Sequence, residues 1–288
     1  MDERIGVIVI GAGPAGIAAT IYLKRAGFDP LLFESEQLGG LLRCANLVEN
    51  YPGFPGGIAG KNLARLMDEQ FQDLGLAPRN ADVREVRKSG TGFTVVTDKE
   101  EEFDGAIICT GTVPRKAGFP GEQELVSAGL LHYGISRLKN LAGSGDALVI
   151  GGGESSMDMA LSLAEMGQKV VLLHRSEPRG IKRLLDEVAG EDSVTLLQGT
   201  VLGARIHGEK AVMHLETSTG KEEKPFDLVL VAVGRERNLP ALEGIDADDP
   251  PPGLRMAGDA RHGGLGQAAM AVGDGVKAAM ELGRELGK

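Results

Sequence analysis

Two short glycine-rich stretches are the parts of this sequence best suited to bind a ligand through the backbone. Each follows an apolar run, VIVI in the first and ALVI in the second, and each has small residues at a G-x-G-x-x-(G/S) spacing. The spaced residues are Gly11, Gly13 and Gly16 in the first stretch and Gly151, Gly153 and Ser156 in the second. Such a turn lets the backbone approach a pyrophosphate, and the helix that follows presents its N-terminus to the phosphates. Both stretches therefore predict the binding of a dinucleotide.

The residues at the end of the next apolar run distinguish the two stretches. In the first, LLFES places Glu34 where it can accept hydrogen bonds from a pair of ribose hydroxyls. In the second, VVLLHRS has His174 and Arg175 at that place, and Arg179 follows shortly after. A carboxylate repels a 2′-phosphate, whereas an arginine can hold it through two hydrogen bonds. We therefore expect the second site to bind NADPH rather than NADH. The other alternative is that the second site binds no nicotinamide nucleotide.

The two stretches begin two copies of one larger unit. Each copy reads as a strand, a turn, a helix and a second strand, and the strands are continuous apolar runs of the kind found in covered parallel sheets. A strand meander follows in each copy, at 81–108 and at 194–234. The predicted fold class is α/β, with two Rossmann-like, three-layer ββα dinucleotide-binding domains, the second inserted in the first. The predicted bounds are 1–113 with 240–288 for the first domain and 114–239 for the second.

A glycine-rich segment near the end of the sequence favours a flavin in the first domain. The residues LRMAGDARHGGLGQAAM place a strand end at Gly258-Asp259 and a helix start near Gln267. Asp259 can then bond the ribityl chain of a flavin, and the N-terminus of the helix can face the isoalloxazine ring. The first domain is therefore predicted to bind FAD.

The chain resembles the low-molecular-weight thioredoxin reductase family (pyridine nucleotide-disulfide oxidoreductase class II) over nearly its whole length. The resemblance rests on GAGPAG, LGG followed by VENYPGFP, ICTGTVPR, GGGESS with LLHR, and AGDAR…Q…GDG, in that order. It implies an FAD-dependent oxidoreductase. The FAD-binding residues that it implies are Gly11, Gly13, Pro14, Ala15, Gly16, Glu34, Gly39, Gly40, Leu41, Asn50, Thr110, Gly111, Gly258, Asp259, Gln267 and Ala268. The NADPH-binding residues that it implies are Gly151, Gly153, Glu154, Ser155, Ser156, His174, Arg175 and Arg179.

The redox dithiol of that family is missing from this sequence. Thioredoxin reductases carry C-x-x-C just ahead of the second glycine-rich turn, whereas this chain reads HYGI there and has two cysteines, Cys44 and Cys109. The stretch HYGISRLKNLAG…GGGESSMD resembles the thioredoxin-reductase-like ferredoxin–NADP reductases, which also lack C-x-x-C and exchange electrons with a one-electron protein partner. This resemblance implies electron transfer between NADPH and a protein or small-molecule acceptor through flavin. Tyr133 is a candidate to cover the flavin, and the alternative is that His132 and Tyr133 only pack.

No catalytic residue is assigned from the sequence, and the two candidates are Cys44 and Tyr133. Cys44 lies in LGGLLRCANLVENYPG, a segment that the resembling family lays along the flavin. A lone cysteine beside a flavin can form a mixed disulfide or a sulfenic acid, so a disulfide or peroxide reductase using Cys44 or a partner's thiols is an alternative function. Cys109 ends an apolar run, where a cysteine usually fills space in the core. A flavin-binding protein with a non-functional nicotinamide site is the remaining alternative.

Composition and charge exclude several other classes of function. The net charge of −10 argues against nucleic acid or a membrane surface as the main partner. No apolar run has the length that spans a bilayer, and the first residues lack the basic lead of a secretory signal. Because two cysteines make no disulfide framework, these features together predict a cytoplasmic protein. No metal site is predicted, and a homodimer is implied by the resemblance alone.

Overall fold

Two units make up the chain, and the first is assembled from both ends of the sequence. The computed structural model describes residues 6–135, 138, 145–264 and 266–287. The units are Met1–Val113 with Glu236–Lys288, and Pro114–Arg235. The second unit thus ends at Arg235, whereas the predicted bounds place its end at 239. Arg237 explains this difference, because its guanidinium donates hydrogen bonds to the carbonyl oxygens of Ala260 (2.7 Å) and Ala247 (3.2 Å), both in the first unit.

The described residues form the following helices and strands. The strands are β1 (Val7–Ile10), β2 (Leu31–Glu34), β3 (Arg79–Asn80), β4 (Glu85–Ser89), β5 (Gly92–Val96), β6 (Glu100–Phe103), β7 (Gly105–Ile108), β8 (Thr112–Pro114), β9 (Leu131–His132), β10 (Asp146–Ile150), β11 (Lys169–His174), β12 (Val194–His207), β13 (Lys210–Thr217), β14 (Gly220–Phe226), β15 (Leu228–Val231), β16 (Arg235–Arg237), β17 (Ala241–Glu243) and β18 (Leu254–Met256). The α-helices are α1 (Pro14–Arg25), α2 (Gly60–Asp73), α3 (Glu122–Ser127), α4 (Glu154–Glu165), α5 (Lys182–Gly190), α6 (Asp259–His262) and α7 (Ala268–Glu285), and a 3₁₀ helix spans Gly40–Cys44.

In the first unit, a parallel sheet is the middle of three layers. Its strand order is β18-β7-β1-β2-β3, and a second sheet has the order β17-β4-β5-β6. Because side chains alternate along a strand, β1 packs on both layers. Val7 and Val9 are buried against residues of α1 and α7, whereas Ile8 and Ile10 are buried against residues of β4 and β5. This two-sided burial explains why β1 reads as a continuous apolar run.

The second unit has the same layers, but its parallel and antiparallel strands belong to one longer sheet. The strand order of that sheet is β14-β13-β12-β11-β10-β15-β9. Ala147 and Val149 of β10 pack against α4 and α5, and Leu148 and Ile150 pack against β13. Strand β12 pairs in parallel with β11 up to Gln198 and then antiparallel with β13 from Gly199, with a bulge between Val201 and Gly203. The predicted α/β fold with two Rossmann-like units is confirmed.

The two parallel sheets repeat each other in register. In both units the first strand lies between the strand that follows the helix and the strand that ends the meander. The corresponding pairs are Ile10–Phe33 and Ile10–Ile108 in the first unit and Ile150–Leu173 and Ile150–Val231 in the second. Each position at the first glycine turn can therefore be compared with its counterpart at the second. No described helix combines the length and the apolar character that crossing a bilayer requires.

Candidate functional site

The first turn requires glycine at two positions for steric reasons. Gly11 has φ +97°, and a Cβ there would lie 2.6 Å from the carbonyl oxygen of Cys109. A Cβ at Gly16 would overlap the carbonyl oxygen of Gly11. The Gly11 amide donates to the carbonyl oxygen of Phe33 at 2.7 Å, which fixes the turn at the end of β2. These two glycines allow the strand, the turn and α1 to pack against each other.

Gly13 differs from its neighbours because a Cβ there would meet no atom within 4 Å. Gly13 is the N-cap of α1 and has an ordinary φ of −69°. Because it has no side chain, it does not cap the amides of the first turn. Pro14 and the buried Ala15 begin the helix behind it. The backbone at Gly13 thus borders open space at a helix N-terminus, which is the space that a pyrophosphate needs. The turn fits a dinucleotide.

Glu34 is held beside this turn by backbone groups. One carboxylate oxygen accepts a hydrogen bond from the Ala12 amide at 2.6 Å, and the other accepts one from the Glu36 amide at 2.8 Å. Each oxygen keeps a further lone pair, so the carboxylate can still accept from a ribose hydroxyl. Ala12 is part of the candidate site that the glycine pattern does not single out.

The Gly39-Gly40 turn also lies against the first glycine stretch. The Gly39 amide donates to the carbonyl oxygen of Ala12 at 2.7 Å, and a Cβ at Gly40 would lie 3.4 Å from Cα of Gly13. Gly39 has φ +94° and caps the 3₁₀ helix Gly40–Cys44, where Leu41 is half exposed. The structure therefore brings this predicted segment to the same edge of the sheet as Gly11–Gly16.

Two further predicted residues meet from opposite ends of the sequence. The Asn50 side-chain amide donates to Oε1 of Gln267 at 2.5 Å. Gln267 is the N-cap of α7, and Ala268 packs against a small apolar cluster that includes Leu42 and Leu63. The segment after the 3₁₀ helix and the start of α7 are thus held together, as binding of one ligand by both would require.

Thr110 and Gly111 contact a residue that the sequence analysis missed. The Thr110 hydroxyl donates a hydrogen bond to the backbone carbonyl oxygen of Asn238. The backbone N–H of Asn238 donates to the Gly111 carbonyl oxygen at 3.0 Å. Asn238 follows the second crossing, and no local pattern connects it to the end of β7. At the neighbouring strand, Oδ1 of Asp259 accepts a hydrogen bond from the Gly266 amide at 3.1 Å. A Cβ at Gly258 would lie 3.0 Å from Cβ of Ala15, so this segment also lies at the start of α1.

The second turn repeats the geometry of the first. The Gly151 amide donates to the carbonyl oxygen of Leu173 at 2.9 Å, and a Cβ at Gly151 would overlap the carbonyl oxygen of Ala232. A Cβ at Gly153, the N-cap of α4, would meet no atom within 4 Å. Ser156, the counterpart of Gly16, is buried and donates to the Gly153 carbonyl oxygen at 2.6 Å. The second turn therefore also borders open space at a helix N-terminus.

The strand end beside the second turn is basic where the first is acidic. His174 is buried, and its Nδ1 donates to the carbonyl oxygen of Ser176 at 3.1 Å. The Arg179 amide donates to the carbonyl oxygen of Gly152 at 2.7 Å, the same contact that Gly39 makes with Ala12. This contact places the Arg179 backbone directly at the turn, a register that the sequence pattern left open. Arg175 is exposed one residue beyond the end of β11.

The four basic side chains in this region differ in what they contact. Lys182 pairs with Asp186 at 2.7 Å, and Arg183 pairs with Glu187 at 3.4 Å. The guanidinium groups of Arg175 and Arg179, by contrast, pair with no side chain in the part of the chain that the structure describes. They are therefore the better candidates to hold a phosphate.

At the start of α4, the Glu154 carboxylate is hydrogen-bonded to the loop that follows β11. Its Oε1 accepts a hydrogen bond from the Ile181 amide at 3.0 Å. Ser155 is exposed beside it. The Glu154 carboxylate therefore supports the loop that carries Arg179, and Ser155 has a hydroxyl free to reach solvent or ligand.

Tyr133 lies in a hydrogen-bonded cluster within the second unit. Its hydroxyl donates to Oε1 of Glu122 at 2.8 Å, and the buried Glu122 carboxylate also accepts from the amides of Ala117 (2.8 Å) and Gly118 (2.6 Å). Burial and the Glu122 hydrogen bond raise the pKa of the Tyr133 phenol above its ordinary value. Nε2 of the adjacent His132 is 2.9 Å from the carbonyl oxygen of Gly129. These contacts favour a structural role for Tyr133.

We expect Tyr133→Phe to lower the free energy of unfolding by about 1 kcal/mol, because Glu122 loses one donor and keeps two. The rate of flavin reduction should stay at the wild-type value. Since the pKa of the phenol is raised in the folded protein, its stabilising contribution is complete below pH 10 and is lost as the pH rises further. Urea unfolding at neutral and alkaline pH measures both effects. A large loss of turnover in a normally folded variant would contradict the structural role.

The two cysteines lie in different environments. Cys44 is exposed at the end of the 3₁₀ helix, and Cys109 is buried directly after β7. The backbone amide of Cys109 donates to the carbonyl oxygen of Ile10, and that of Ala232 donates to the carbonyl oxygen of Ile150. Ala232 is therefore the counterpart of Cys109 in the second unit. Burial raises the pKa of the Cys109 thiol well above its ordinary value. Cys109 therefore belongs to the core.

A chain with two dinucleotide-binding folds, one inserted in the other, has the architecture of flavin-dependent oxidoreductases that use a second nucleotide. The chain belongs to the pyridine nucleotide-disulphide oxidoreductase family, whose sequence profile matches residues 5–249. It is 34% identical to a thioredoxin reductase from Mycolicibacterium smegmatis, over 97% of this chain and 96% of that one.

Solved structures show the same likeness. A thioredoxin reductase from Lactococcus lactis in its FR conformation superimposes with a TM-score of 0.88, at 28% identity and over 98% of this chain and 99% of that one. One from T. acidophilum superimposes with a TM-score of 0.86, at 28% identity and over 99% of both chains. The chain is therefore an FAD-dependent oxidoreductase of the thioredoxin reductase-like type.

Proposed function

We propose that this protein takes electrons from NADPH, bound at the second turn, and passes them through FAD, bound at the first turn, to a protein or small-molecule acceptor. One observation carries the proposal: the same strand–turn–helix unit occurs twice in matching register, with a carboxylate at one strand end and arginines at the other. A duplicated turn alone would predict two similar nucleotides. The opposite charges favour two different ones.

Bound FAD supplies the acceptance of hydride and the onward transfer of electrons. The chain's part is to hold it. The open backbone at Gly13 leaves space for the pyrophosphate, Glu34 has lone pairs for a ribose, and Asp259, whose Oδ1 accepts from the Gly266 amide, is proposed to accept from a ribityl hydroxyl. No side chain has to move a proton in this scheme, so no catalytic acid or base is assigned.

The arginines favour NADPH over NADH at the second turn. Arg175 follows the end of β11, and the Arg179 backbone is bonded to the turn at Gly152. Because neither guanidinium is paired with another described side chain, both can form charge-assisted hydrogen bonds to a 2′-phosphate. His174 cannot accept from both hydroxyls of a ribose as the two oxygens of Glu34 can, since its Nδ1 donates to a carbonyl oxygen and only Nε2 is left as an acceptor.

The acceptor must be reduced without a dithiol from this sequence, which contains no C-x-x-C. A small redox protein or a small molecule that meets the flavin directly fits this condition, and the named function of the relatives supports a small redox protein. The net charge of −10 disfavours nucleic acid as a partner. We also propose that the protein is cytoplasmic and forms a homodimer.

Anaerobic mixing with NADPH tests the proposed electron path. The flavin absorbance should bleach rapidly with NADPH and much more slowly with the same concentration of NADH. Thioredoxin, ferredoxin and low-molecular-weight disulfides, added in turn, should then identify the acceptor that restores the absorbance. Flavin that stays oxidised under NADPH would favour a protein whose nicotinamide site does not function.

Cys44 supports a second candidate function, a disulfide or peroxide reductase. It is exposed at the end of the 3₁₀ helix that begins at the Gly39-Gly40 turn, so a thiol reagent can reach it. If Cys44 carries electrons, Cys44→Ser should abolish disulfide or peroxide turnover while leaving flavin reduction by NADPH intact. Under the leading proposal, the variant should keep both rates within about twofold of wild type, since surface substitutions rarely change more. Cys109→Ala is the matched control, because alanine stands at the equivalent position of the second unit.

A further inference from the structure

The loop between Gly258 and Gln267 needs a fixed shape if Asp259 and Gln267 are both to contact FAD, a condition that rests on the proposed function. This loop is rich in glycine, with Gly263 at φ +68° and Gly266 at φ +64°. Glycine loses more backbone freedom on ordering than any other residue. The described glycines that follow α6 therefore give the backbone several accessible conformations, and contacts that restrict them would favour FAD binding.

Besides the bonds of Arg237 to Ala260 and of Asn50 to Gln267, two contacts restrict the described part of this segment. The Asp259 carboxylate accepts from the Gly266 amide at 3.1 Å, which ties the loop to itself. Nε2 of His262 lies 2.7 Å from Oδ2 of Asp274, which ties the loop to α7. Oδ2 of Asp274 is buried and accepts no well-aligned hydrogen bond from the described residues. Because a buried carboxylate oxygen without a partner is costly, His262 is the group that compensates it.

His262 is the single histidine in the sequence of the first unit. The sequence has five histidines, and the others are His132, His174, His207 and His214, all within Pro114–Arg235. Histidine is the side chain that ordinarily changes charge near neutral pH. A change in FAD binding in that range therefore points to this residue.

Other ionisable groups lie around the pair. Cys109 faces Asp274 from the end of β7, and burial raises the pKa of its thiol well above the ordinary value. Asp259 and Arg261 share the short helix α6 with His262, and Lys277 follows Asp274 on α7, where it pairs with Glu281 at 3.8 Å. Carboxylates, arginines and lysines titrate outside the range near neutral pH.

We propose that His262 and Asp274 form a positioning pair that holds the FAD-contacting loop on α7, and that protonation of His262 tightens it. A neutral imidazole attracts a carboxylate less than an imidazolium does, so the pair weakens as the pH rises. FAD should then leave the protein faster at higher pH.

The rate of FAD release from the holoprotein tests this proposal, followed by the rise in flavin fluorescence. For the wild type, the rate should increase roughly three- to tenfold between about pH 5.5 and 7.5, the range of an ion pair that is partly exposed. His262→Gln and Asp274→Asn should release FAD at the faster rate throughout, with no change across this range. His214→Gln is the matched control, because Nε2 of His214 lies 3.5 Å from Glu223 in a similar pair of the second unit. It should behave like the wild type.

Two results would overturn the positioning role: a wild-type release rate that does not change with pH, or a His262→Gln protein that keeps the pH dependence. Circular dichroism and NADPH affinity of each variant show that the second unit remains folded. A wild-type protein that carries no FAD at any pH would contradict the proposed function instead, so the two failures are distinguishable.

Discussion

A protein carrying Gly13→Val is expected to fold like the wild type and to bind FAD at least about 100-fold more weakly, because several charge-assisted hydrogen bonds of about 1.5–3 kcal/mol each would be lost. Its fold should survive, since Gly13 has an ordinary φ of −69° and a Cβ there meets no atom within 4 Å. The added side chain instead fills the space beside the helix N-terminus. Flavin absorbance after incubation with FAD measures the loss, and circular dichroism measures the fold.

Gly153→Val is the matched control for this substitution. Gly153 has an ordinary φ of −106°, and a Cβ there also meets no atom within 4 Å. This variant should keep its FAD and lose reduction by NADPH. If Gly13→Val retained FAD while Gly153→Val lost it, the assignment of the two nucleotides to the two turns would be reversed.

Removing both arginines at the second strand end should change the choice of nucleotide. In Arg175→Ala/Arg179→Ala, the KM for NADPH should rise about 10- to 100-fold, because charge-assisted hydrogen bonds to the 2′-phosphate are lost. The KM for NADH should change little, since NADH has no phosphate there. Steady-state kinetics with both nucleotides measure the ratio.

Arg205→Ala provides the comparison for a general loss of positive charge. Arg205 is an exposed arginine of the same unit, paired with Glu223 at 2.9 Å. Its removal should leave both KM values close to wild type. Equal increases for NADPH and NADH in the double variant would show that the arginines do not discriminate between the nucleotides.

The sequence predicts those parts of the molecule that depend on short stretches of chain. Continuous apolar runs identify β1 and β10 because both faces of the parallel sheets are covered. The glycine spacing and the residue at the next strand end, Glu34 or His174, follow from the fixed geometry of one strand–turn–helix unit. The position of the inserted unit follows from finding that pattern twice.

Contacts between distant segments are not predicted in this way. Glu122 accepts from three donors, two backbone amides and the Tyr133 hydroxyl. No local sequence pattern predicts these contacts. The pairing of His262 with Asp274 depends on how α7 packs. The exact residue at which the chain returns to the first unit depends on the bonds of Arg237 to Ala260, which cannot be inferred from spacing.

The absorption spectrum of the purified protein after incubation with FAD shows directly whether the first unit binds a flavin. We expect a yellow protein with one noncovalent FAD per chain, whose absorbance bleaches when NADPH is added without oxygen. A correctly folded protein that stays colourless would contradict it, because the first turn, Glu34 and Asp259 would then serve no flavin.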